Sequence, residues 1–122
     1  MLIIPLYEIC EKNSELAQLL TDESGLKVAE FDANNTNGAP YVCWQIITAD
    51  VEQYLSEPSD MDSIFAQIDI YADSKASGRQ IAKLLRTSIE PDCYIESYTG
   101  VERDPDTNLY RIRIDSRWYE EP

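Results

Sequence analysis

Asp104, Asp106 and Asn108 stand at alternate positions, the spacing of the first three oxygen ligands in a calcium loop. The match stops there. Leu109 falls where such a loop needs its turn glycine, and Asp115 where it needs a bidentate glutamate. With Pro105 behind Asp104 the segment reads as a turn, and no metal is expected. Asp60 and Asp62 have no histidine or cysteine beside them and read as solvated loop charges. The chain contains no histidine, so it lacks the commonest acid-base and metal-binding group at neutral pH. Neither a Gly-x-Ser-x-Gly elbow nor a phosphate-cradling glycine loop occurs, and Cys10, Cys43 and Cys93 have no activating base nearby in sequence. No catalytic residue and no cofactor are expected.

The remaining charged pattern is a row of arginines. From Tyr110 to Tyr119 the chain alternates strictly, with Tyr110, Ile112, Ile114, Ser116 and Trp118 on one face and Arg111, Arg113, Asp115, Arg117 and Tyr119 on the other. One row must be buried under helices, and the arginine row calls for acidic neighbours in the same subunit or in another copy. Asp69 and Glu96 are the intrachain candidates.

The elements that would position this row follow from periodicity. Leu6, Ile9, Cys10, Leu16, Ala17 and Leu20 recur at helical spacing and predict one amphipathic helix between Pro5 and Leu20. Leu26–Phe31 predicts a short strand, and residues 32–40, rich in Asn, a loop. Tyr41–Thr48 is dense in β-branched and aromatic residues and predicts a strand. Residues 49–62 are too polar for core and read as a connection, in the manner of a hairpin arm. Phe65–Ala72 alternates again, with Ala66, Ile68, Ile70 and Ala72 on the apolar side. Ser74 or Asp73 would cap a helix reaching Ile89, which Pro91 terminates. Its Lys75, Arg79, Lys83 and Arg86 read as a solvated face. Tyr94–Thr99 and Leu109–Tyr119 complete the strands. The expectation is one α+β domain spanning 1–122, a mostly antiparallel sheet of four to five strands with two helices packed on one face.

Net charge is −13, unevenly spread: residues 41–74 hold seven acids and no Lys or Arg, while residues 75–122 hold nine acids and eight bases. Such a field opposes long-range attraction to nucleic acid or an anionic membrane. The odd cysteine count without CxxC spacing, and an N-terminus lacking the form of a signal peptide, suggest buried free thiols in a cytoplasmic protein. No run approaches the length of a membrane span, so no membrane partner is expected.

Three blocks carry a resemblance. Pro40-Tyr41-Val42-Cys43-Trp44-Gln45, then Gln67-Ile68-Asp69-Ile70-Tyr71-Ala72 ahead of a helix, then Arg103-Asp104-Pro105-Asp106-Thr107 leading into an aromatic-ended strand, appear in that order. This pattern resembles the tail completion or tail terminator family of long-tailed bacteriophages, over roughly residues 5–119. The Asn-rich loop at 34–38 and the acidity depart from it. The resemblance implies a small α+β protein that assembles as a ring, usually hexameric, caps the tail tube and joins it to the head completion protein. It implies residence in host cytoplasm during assembly and at the head-proximal end of the virion tail afterwards.

On that reading the subunit interface is expected to use Asp50, Glu52, Glu57, Asp60, Asp69, Arg111, Arg113, Arg117 and Trp118. Asp50, Glu52 and Asp60 are expected at an acidic channel that DNA passes without sticking. A rival reading is an acidic decoy that imitates DNA and blocks a nucleic-acid-binding host factor; the three arginines interrupt the carboxylate array it needs.

Overall fold

A computed structural model describes residues 3–30, 38–51 and 62–120, with only the backbone described for 48–51, 62 and 120. Helices α1 (Leu6–Lys12) and α2 (Ser14–Leu20) open the chain, followed by the small hairpin β1 (Thr21–Asp22) and β2 (Gly25–Leu26). Strand β3 (Val28–Glu30) precedes two strands of eleven residues, β4 (Tyr41–Val51) and β5 (Asp62–Ala72). Then come α3 (Lys75–Ile89), β6 (Cys93–Tyr98), β7 (Glu102–Arg103) and β8 (Tyr110–Glu120). The main sheet runs β3-β4-β5-β8-β6, with β7 also on β8. All its pairs are antiparallel except β3 on β4.

The α+β architecture stands, with one parallel pair and three helices where two were expected. The first helix is broken at Asn13, whose extended backbone ends α1 and whose side chain starts α2 by accepting from Leu16 N at 3.1 Å. The same side chain donates to Ser88 Oγ at 2.8 Å, fastening the break to the last turn of α3. Two seven-residue helices are too short to persist on propensity, so Leu6, Cys10, Leu16 and Leu20, all fully buried, hold them in place. The third helix starts where Ser74 Oγ accepts from Ser77 N, and Pro91 lies just beyond its end.

Two expected boundaries shift: β4 runs past Thr48, and β5 starts at Asp62, ahead of Phe65. The polar connection begins later than residue 49, because β4 continues to Val51 and pairs there with Asp62. A bulge between Ile46 and Thr48 interrupts that ladder, and Ile47 at the bulge is 46% exposed.

Period two decides the layers. Val42, Trp44, Ile64, Ala66, Ile68, Ile70, Ile112, Ile114 and Trp118 form one core with the buried residues of all three helices. Every helix therefore lies over the same sheet face. Within this layer Trp118 Nε1 donates to Ser116 Oγ at 2.8 Å, and that hydroxyl donates to Ala66 O at 3.1 Å, so the indole N–H is satisfied in the interior. None of the helices among the described residues is long and apolar enough to cross a membrane.

Candidate functional site

Among the described residues, no helix covers the opposite sheet face. It presents Tyr41, Cys43 and Gln45 from β4, Ser63, Phe65, Gln67, Asp69 and Tyr71 from β5, and Arg111, Arg113, Asp115, Arg117 and Tyr119 from β8. The arginine row thus lies on an outer surface, as its alternation requires.

Each arginine meets an acid of its own subunit. Register sets Asp69 opposite Arg113, whose Nε donates to Oδ1 at 2.8 Å; Gln67 donates to the other carboxylate oxygen at 3.3 Å. Glu102 faces Arg111 across the β7–β8 pair and accepts from Nη2 at 3.2 Å. Arg117 donates to Glu96 at 3.1 Å and to Ser63 Oγ at 2.6 Å, with its guanidinium 5.4 Å from the Phe65 ring centre. Most of these pairs are half exposed and individually weak, whereas the Asp69 side chain is only 11% exposed. Ser97 donates to Asp115 at 2.6 Å, and Tyr94 meets Tyr119 edge to face at 5.8 Å.

Beside the Asp69–Arg113 pair lies a depression of about 230 Å³ edged by Cys43, Gln45, Gln67 and Tyr71. Tyr41 and Tyr71 stack at 4.9 Å on its flank. Burial, and then the Asp69 carboxylate, push the Tyr71 phenol above its ordinary value. Burial likewise pushes the Cys10 and Cys93 thiols up to about 12, which leaves them protonated and poor nucleophiles at neutral pH.

The Asp104–Asn108 segment is a turn held by its own residues. Asp104 is buried and accepts from Thr107 Oγ1 at 2.7 Å, and Asn108 adopts a positive φ of 62°. Among the described residues, no group of three or more His, Cys, Asp or Glu side chains could hold a metal ion.

Of the residues singled out in the sequence, Asp69, Arg111, Arg113 and Arg117 share the open face. Trp118 belongs instead to the helix-covered layer at 4% exposure, between its register partners Ile64 on β5 and Cys93 on β6. Asp50 lies in β4 with its side chain outside the described residues, and Glu52, Glu57 and Asp60 lie outside them altogether. Sequence reasoning did not find Glu102, Ser63 or the Tyr41–Tyr71 stack. The odd-numbered positions of Tyr41 and Tyr71 on adjacent strands were the available signal.

Fold and face together define an α+β protein whose uncovered sheet face carries arginines paired with carboxylates of the same subunit. Residues 5–121 match the family described as Tail completion protein gp17. The chain belongs to that family and is a structural protein of the phage tail. Among solved structures, a chain of the "Virion of native gene transfer agent (GTA) particle" shares the fold, with a TM-score of 0.68 at 14% identity, covering 96% of this chain and 92% of that one. A search of curated protein sequences gave no match.

Proposed function

We propose that this protein is a tail terminator: copies close into a hexameric ring on the tail tube, stop its elongation and offer the surface on which the head completion protein docks. The observation that carries this reading is the family match over residues 5–121. The likeness in fold to a chain of a gene transfer agent virion supports it. So does the open sheet face, whose cross-strand pairs fix its shape before any partner arrives, which lowers the ordering cost of binding.

The mechanism is geometric, and no reaction is catalysed. Asp50, Glu52 and Asp60 are assigned to the channel side of the ring, where negative charge keeps the passing genome from adhering, and Glu57 to the contact between subunits. Arg111, Arg113, Arg117 and Asp69 are assigned to contacts of the open face. Trp118, buried, is not. In host cytoplasm the protein awaits the finished tube, and in the virion it sits at the head-proximal end.

The decoy reading loses support on the open face, where Arg111, Arg113 and Arg117 neutralise Glu102, Asp69 and Glu96. Deletion of the gene tests the proposal: lysates should contain overlong tubes without heads. Tubes of normal length, or capture of a host DNA-binding enzyme by the purified chain, would oppose it.

A further inference from the structure

The helical layer carries a charge polarity separate from the arginine row. Lys75, Arg79, Lys83 and Arg86 are all exposed, and α3 contains no acid at all. Its buried residues are Gly78, Ile81, Ala82, Leu85 and Ile89. At about 100° per residue the four cations fall on a single flank, roughly a quarter turn from that buried stripe. Leu84 and Ser88 occupy the other flank, and Ser88 accepts from Asn13, so α1 and α2 pack on the side away from the cations.

The cationic flank lies toward the β6 edge of the sheet. Arg86 sits 5.5 Å from the ring of Tyr98 on β6, and Lys75 sits 5.9 Å from the ring of Tyr110 on β8. Arg86 also pairs with Glu90. The charged side chains of Arg79 and Lys83 make no ion pair or hydrogen bond with any described residue, although the Lys83 carbonyl accepts from Thr87 Oγ1 at 3.0 Å.

Helix α1 packs toward the opposite edge, against β3. Lys12 turns into the groove beside Ser88, while Tyr7 and Glu11 occupy the outer flank by the same helical spacing and are exposed. Glu15 and Glu23 add exposed acid on the α2 and β1–β2 side. The two edges of the sheet are therefore unlike: one carries the basic flank of α3, whose Arg86 lies beside the exposed Tyr98, and the other carries carboxylates near the exposed Tyr7.

We propose that copies of this chain join edge to edge, the Arg79–Lys83 flank of α3 on one copy meeting the Tyr7–Glu11 flank of α1 on the next. The occupant of the basic flank is a second copy, because the chain itself supplies the complementary charge and an aromatic anchor on each side. Two different patches on opposite edges make a heterologous contact, the kind that closes a ring. This inference rests on the ring reading and adds its seam. It also separates the seam from Arg111, Arg113 and Arg117, which are held within the subunit.

The test uses three full-length chains added to purified tubes that lack the protein, with rings counted in negative-stain images and folding checked by circular dichroism. Wild type should cap the tubes, R79E/K83E should do so at least about tenfold less, and R79E/K83E/E11K/E23K should recover. The last variant restores the original net charge, so recovery reports the pairing and not the overall field. Wild-type yield from R79E/K83E, or no recovery in the fourfold variant, would overturn the seam while leaving the ring intact. Wild-type copies that never form rings would sink the ring reading and the seam with it. Retention of the wild-type chain on duplex DNA at about 0.15 M salt, lost in R79E/K83E, would reassign the flank to nucleic acid and overturn the proposal as well.

Discussion

Replacing Asn13 by alanine removes two interactions at once. The side chain caps α2 at 3.1 Å from Leu16 N, and it donates to Ser88 Oγ at 2.8 Å across 75 residues of chain. Loss of an asparagine cap costs about 1 kcal/mol. Loss of a partly buried neutral hydrogen bond costs about another 1 kcal/mol. Ser88 keeps its own bond to Leu84 O, so its hydroxyl is not orphaned and no larger penalty is expected. The total of about 2 kcal/mol converts, at the unfolding entropy of a chain this long, to a fall in Tm of about 8 °C. Asn13→Asp keeps the cap but loses the donor, and should fall by about half as much. Calorimetry on wild type, N13D, S88A and N13D/S88A, read as a double-mutant cycle, isolates the bond to Ser88, and the further loss in N13A reports the cap. A Tm for N13A within about 2 °C of wild type, or equal losses for N13A and N13D, would refute the account of why the helix breaks there.

Three further outcomes are expected. Asp69→Ala strands Arg113 on the open face; discounted for the one-third exposure of that arginine, the cost should be about 1–2 kcal/mol in urea unfolding, and a loss below about 0.5 kcal/mol would deny the pair a structural role. Gly78→Ala should stabilise by about 0.5–1 kcal/mol, since an added Cβ would meet Ile112 and Ala72 at 3.5 and 3.6 Å, ordinary contact distances in a helix interior; a lower Tm would show that the packing there has no slack. The Cys10 thiol is raised from 9.0 to about 12 by burial. The folded state therefore holds a proton that the unfolded chain releases: this contribution is fully present below about pH 8.5 and is lost as pH rises toward about 12. Urea midpoints measured upward from pH 8 should decline less steeply in C10A, and parallel declines would contradict the assignment.

Much of the fold could be read from alternation. In β5 and β8 the apolar and charged rows are so regular that both layers followed from the residue types, including the exposure of the arginine row. The start of α3 was legible as Ser74 or Asp73, and Ser74 is the cap. The break at Asn13 was hidden because Leu16, Ala17 and Leu20 resume the helical spacing of Leu6, Ile9 and Cys10 in phase, although Asn13 stands where an apolar residue is due and, followed by Ser14 and Glu15, is also a cap signature. The pairings were only partly legible. Asp69 and Glu96 were the natural partners for the arginines, but which arginine each meets depends on register, and Glu102 enters only through a two-residue strand inside a turn-rich link. Trp118 shows the same limit: its alternation put it on the apolar row, but its neighbours there, Ile64 and Cys93, follow only from register. The basic face of α3 read as merely solvated, since the asymmetry between sheet edges exists only once strand order is known.

The most direct test of the central claim is to image intact virions carrying a tagged copy of this chain. The account predicts a single ring of density at the junction of tube and capsid. Label distributed along the tube, at its distal tip or inside the capsid would contradict it.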